Sequence, residues 1–173
     1  MSTDLKNKFK ELVPKALKND TSSITELIQL TQSSLFKFCF LLGRNKEEAQ
    51  DLCQEVYIKA FTKLNQLQEA ERFQGWLFQI AKNLFLDQKR TQALDKEYQK
   101  SHFLSEAASS QQEQWEAILT LQKILSQFET EDKMILIMIE LKGFTYQETA
   151  VVLNTTEDAI RLRIHRLRKI LQN

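Results

Sequence analysis

Five basic residues and no acidic one fall between Arg161 and Lys169: Arg161, Arg163, Arg166, Arg168 and Lys169. The rigid fork of arginine can grip phosphate oxygens or read guanine in a major groove, so this run is a candidate nucleic-acid surface. Ile160, Ile164, Leu167 and Leu171 recur at intervals of four, three and four. That spacing predicts a helix that buries those four residues and carries the arginines beside or opposite them. A solvated amphipathic helix, its cations favoured by the negative end of the helix dipole, has the same pattern. A second candidate lies upstream, where Trp76 precedes Lys82, Asn83, Asp87, Lys89 and Arg90. An aromatic ring with donors and cations nearby can stack on an unpaired base, although an aromatic at helical spacing is usually a core residue.

Covalent chemistry finds no support. The two histidines, His102 and His165, stand at no spacing that makes a metal cluster with each other or with Cys39 and Cys53. Asp51 and Glu55 share a helix face but have no nucleophile or base beside them. There is no glycine-rich phosphate loop. The chain therefore reads as a non-enzyme without cofactor or metal.

These candidates must be positioned by helices, because three Gly and one Pro in 173 residues leave few turn formers for a sheet protein. Apolar residues from Leu5 to Leu17 make a helical stripe that Pro14 interrupts, predicting a kinked helix or two short turns. After the polar stretch Asn19 to Ser23, Ile24, Leu27, Ile28, Leu35, Phe38, Cys39 and Leu42 mark a helix ended by Gly43. Asn45 and Glu48 are spaced as a capping pair, opening a helix that buries Leu52 and Val56 and runs to about Leu64. A further helix starts near Glu71 and buries some combination of Phe73, Trp76, Leu77, Ile80, Ala81, Leu84 and Phe85. Residues 1–92 form a first module, 93–114 a tether and 115–173 a second module. In the second module helices are predicted from Trp115 to about Gln127, Thr130 to about Leu141, Tyr146 to about Val152 and Glu157 to Ile170. The last two, with Thr145 and Glu148 spaced as a capping pair and Thr155 or Thr156 as the next cap, have the pattern of a helix-turn-helix.

Charge is nearly balanced, with 24 Lys and Arg against 23 Asp and Glu, so any nucleic-acid partner must be met locally rather than by bulk charge. Two cysteines make no disulfide framework and read as buried thiols. The longest apolar run, Met134 to Ile139, is too short for a bilayer, which predicts a cytoplasmic protein without membrane insertion.

Four segments resemble a known family. Asp51-Leu52-Cys53-Gln54-Glu55-Val56-Tyr57-Ile58-Lys59-Ala60-Phe61 is similar to the part of sigma region two that docks on bacterial RNA polymerase core. The segment from Phe73 to Arg90 resembles the part that melts and reads the minus-ten element. Gly143 to Ala150 and Ala159 to Arg168 resemble the two helices of sigma region four, which binds the minus-thirty-five element. With no counterpart of a long middle domain, the likeness is to the small extracytoplasmic-function type. It implies an all-α protein of two modules joined by a flexible linker, which directs polymerase to promoter DNA and is held in check by an anti-sigma protein. By the same resemblance Asp51, Gln54, Glu55 and Lys59 meet polymerase. Trp76, Lys82, Asn83, Asp87, Lys89 and Arg90 meet the minus-ten element, and Thr156, Arg161, Arg163, His165, Arg166 and Arg168 the minus-thirty-five element. The chain departs from the family at Gln127-Phe128-Glu129, Thr149, Asn154, Ala159 and Leu162. Asn154 can take a left-handed turn conformation, whereas Leu162 cannot donate a hydrogen bond. The residues by themselves also leave open a helix-turn-helix regulator that recruits no polymerase, or a protein-interaction module with a basic helix.

Overall fold

The computed structural model describes residues 3–43, 45–94 and 112–172, and among these every regular element is helical. The first module holds α1 (Thr3–Ala16), α2 (Thr21–Leu42), α3 (Lys46–Thr62) and α4 (Phe73–Leu94), with single 3-10 turns at Leu64–Gln66 and Ala70–Arg72. The second holds α5 (Gln112–Leu125), α6 (Thr130–Leu136), a π turn (Ile137–Leu141), α7 (Tyr146–Leu153) and α8 (Glu157–Leu171). Most of the tether lies outside the described residues.

Local rules account for most boundaries. Asp20 caps α2 by accepting the Ser23 N–H at 2.9 Å, and the Gly43 N–H closes its far end on the Cys39 carbonyl. Asn45 caps α3 by accepting the Glu48 N–H at 2.8 Å. The expected break at Pro14 does not occur, and α1 runs on to Ala16. Pro14 sits in the last turn, where its missing N–H costs a single intrahelical bond.

The first core is built on aromatic contacts. Phe9 lies 5.5 Å from Phe73, and Phe38 meets Phe78 edge-on at 4.5 Å. Thr31, itself buried, donates or accepts with the Tyr57 hydroxyl at 2.8 Å and reaches the Leu27 carbonyl at 2.7 Å, so its polarity is satisfied. Burial, opposed by that hydrogen bond, pushes the Tyr57 hydroxyl up to about 12. Cys39 is buried and Cys53 half-buried, both as free thiols.

The second set of helices does not keep a separate core. Phe144 lies 5.3 Å from Phe78, and Trp115 packs on Phe40 at 4.8 Å, so one apolar cluster runs through both modules. Polar contacts close the seam. Lys82 donates to the Val152 carbonyl at 3.0 Å, Lys89 to Thr130 at 2.8 Å, and Gln122 to the Phe40 and Gly43 carbonyls at 2.8 and 3.3 Å. Lys6 pairs with Glu148 at 3.0 Å. Two of these acceptors, the Phe40 and Val152 carbonyls, lie in the last turns of α2 and α7, where carbonyls have no partner within their own helix.

Candidate nucleic-acid and protein interfaces

The α7-turn-α8 unit is fixed by its caps. Thr145 accepts the Glu148 N–H while the Glu148 carboxylate accepts the Thr145 N–H, a complete capping box. Burial would raise the Glu148 carboxyl, but the Thr145 N–H and Lys6 outweigh it and hold it below the ordinary carboxylate value. Asn154 then turns the chain with φ +55°, a left-handed conformation that its short polar side chain tolerates. Thr156, rather than Thr155, caps α8 by accepting the Ala159 N–H at 3.2 Å.

On α8, Ile160, Ile164 and Leu167 are buried as the spacing predicts, but Leu171 is about half exposed because the helix outruns its partners there. The arginines do not form one free face. Arg163 hydrogen-bonds Glu131 and lies 3.2 Å from Asp132, both on α6, and the Glu131 bond raises its already high pKa further. Arg168 donates to Glu140 at 2.8 Å, and Arg161 to Glu157 at 3.0 Å. Arg166, His165 and Lys169 are exposed, and no side-chain partner of theirs is found among the described residues. Glu157 and Asp158 fill the first turn. Their charge suits the helix dipole but opposes a phosphate at this N-terminus.

On α4 the candidate residues divide by register. Gly75, Phe78, Lys82 and Lys89 turn toward the second module, where a methyl on Gly75 would already lie 3.8 Å from Phe144. Burial lowers the Lys82 ammonium pKa, only partly offset by Glu131. Asn83, Asp87 and Arg90 are exposed on an adjoining face, with Arg90 bound to Asp87 at 3.2 Å. Trp76 shares their register, half-buried, its ring 6.4 Å from Phe73. Trp76 is thus neither fully core nor fully free.

On α3, Leu52 and Val56 anchor the helix at 2% and 0% exposure, leaving Asp51, Gln54 and Glu55 in solvent and Lys59 half-buried. Glu55 accepts from Gln88 of α4 at 3.2 Å. The sequence reading missed Ile58, which is 70% exposed in the middle of this polar face. Its position seven residues after Asp51 and four after Gln54 was the available signal.

Residues 27–94 match the family model described as Sigma-70 region 2, and residues 118–171 the one described as Sigma-70, region 4. The chain is 28% identical over 156 residues to the ECF RNA polymerase sigma factor SigE of Mycolicibacterium smegmatis. That match takes in 86% of this chain but spans 60% of the length of SigE. Among solved structures, CnrH in complex with the cytosolic domain of CnrY has a similar fold, with a TM-score of 0.75 at 18% identity over 95% of both chains. The sigma factor RpoE of Bartonella quintana, in complex with the anti-sigma factor NepR, gives 0.67 at 24% identity over 86% of this chain and 93% of that one. With both regions present, in order, on the two halves of one helical chain, this protein belongs to the sigma-70 family, in its extracytoplasmic-function (ECF) group.

Proposed function

We propose that this chain is a sigma factor that binds RNA polymerase core, carries it to promoter DNA and helps open the duplex, without itself making or breaking a covalent bond. The observation that carries this reading is the outer face of α3, where an exposed Ile58 is ringed by Asp51, Gln54 and Glu55 while Leu52 and Val56 hold the helix in the core. An apolar centre inside a polar rim is the anatomy of a protein interface rather than of a solvated helix. Region four meets the minus-thirty-five element through α8, with Arg166, His165 and Lys169 outward and Thr156 and Arg161 at its entrance. Trp76, Asn83, Asp87 and Arg90 receive unpaired minus-ten bases, whose extrusion costs a few kcal/mol that stacking and hydrogen bonds recover. Lys82 and Lys89 reach the DNA backbone once they leave the seam. The protein works in the cytoplasm, and an anti-sigma protein is its natural inhibitor, by analogy with the complexes of CnrH and of the Bartonella RpoE.

The test is promoter-directed transcription by core polymerase on addition of the purified chain, compared with Asp51→Arg and Gln54→Ala. Surface changes of this kind alter stability by less than about 0.5 kcal/mol, whereas removing one partner of a desolvated interface pair costs about 2–5 kcal/mol. Both variants are expected to melt near wild type and to lose polymerase capture. A correctly folded wild-type chain that never associates with core overturns the reading.

A further inference from the structure

Leu162 is 74% exposed, more than any other large apolar residue of the chain for which exposure is described. Each helical residue advances about 100°, so Leu162 stands about 200° around α8 from the fully buried Ile160, at the middle of the outward face. Asp158 lies one turn before it and His165 and Arg166 one turn after, all exposed. Folding gives no account of a leucine here. Its helix propensity is no better than that of the lysines and arginines around it, and so exposed a side chain gains little from burial.

The second helix of a helix-turn-helix presents its N-terminal turns to base edges, and Leu162 is in the second turn after the Thr156 cap. A leucine can neither donate nor accept a hydrogen bond. In the major groove the one apolar feature offered by any base pair is the 5-methyl group of thymine. We propose that Leu162 reads a thymine in the upstream promoter element through this methyl, a specificity contact that rests on the duplex-reading role of α8 given above. Arg166, one turn further along and without a side-chain partner among the described residues, holds the neighbouring backbone so that the leucine reaches the groove floor.

The experiment uses the full chain with core polymerase to enrich upstream elements from randomised duplexes. Each thymine of the enriched element is then replaced by deoxyuridine, which removes only the methyl. Wild type is expected to lose about fourfold in affinity at one thymine, the worth of one buried methyl. Leu162→Ala, which keeps a strong helix former at an exposed site, is expected to bind the thymine and deoxyuridine duplexes equally. The proposal is overturned if no thymine is sensitive, or if the deoxyuridine penalty persists in Leu162→Ala. Failure to enrich any upstream element overturns the duplex-reading role of α8 itself, a result distinct from an enriched element that ignores the methyl.

Discussion

The arginines of α8 are alike in sequence and different in the fold. Arg163 and Arg168 spend their guanidinium groups on Glu131, Asp132 and Glu140, whereas Arg166 points outward with none of these contacts. Arg166→Ala is therefore expected to reduce the salt dependence of duplex binding by a slope of about one unit, with little change in thermal stability. Arg163→Ala is expected to leave that slope unchanged and to lower the melting midpoint by roughly 2–4 °C at most, because a partly exposed ion pair contributes up to about 1 kcal/mol. The reverse pattern in salt titrations and thermal scans would exchange their roles. The capping residues Asn45, Thr145 and Asn154 were legible in the sequence because each acts on neighbours three or four positions away. The split among the arginines was not, since their acidic partners come from a helix about thirty residues earlier.

At the scale of elements, helix existence was legible from apolar spacing, and what disturbs a helix was less so. Pro14 was given too much weight, and the π turn that ends the α6 run had no recognised signature. Just beyond that turn Lys142 is held low, at about 8, first by burial and then by Lys37 of α2. An unfolded lysine keeps its proton up to about its ordinary value of 10.5. Between these two values the unfolded chain binds more protons than the folded one, so this residue makes stability rise with pH across that window. Below it, the fold carries a desolvated cation. Lys142→Met is expected to raise the melting midpoint at pH 7 and to flatten the rise between pH 8 and 10.5. Thermal scans at three pH values check this, and an unchanged rise in the variant would assign it to other groups.

Across the whole molecule, the candidate DNA surfaces are not equally open. The outward face of α8 is exposed, while α7 lies on the stripe of α4 that holds Gly75, Phe78 and Lys82. The outward face of α8 was legible from its apolar spacing, but the seam was not, because its contacts at Lys82 and Gln122 join positions 70 to 82 residues apart with no periodic pattern linking them. Gln122→Ala removes two seam hydrogen bonds without touching a candidate DNA or polymerase contact. A hydrogen bond contributes about 1 kcal/mol net, so on the proposed function the loss of two is expected to tighten binding of single-stranded minus-ten DNA by up to about thirtyfold. Equal affinity in titrations of both proteins would mean that the seam does not compete with that strand. The chain's two tryptophans happen to stand at the two places where such opening would be seen. Trp115 is packed on Phe40 and Phe36 with the Lys46 ammonium 6.0 Å over its ring, and Trp76 lies along the face that would receive bases. When the seam parts, water reaches Trp115 and its emission moves to longer wavelength, whereas a base stacking on Trp76 quenches it. On the proposed function the unlabelled protein would therefore give separate optical signals for opening and for strand capture, and Trp76→Phe or Trp115→Phe would isolate each in turn.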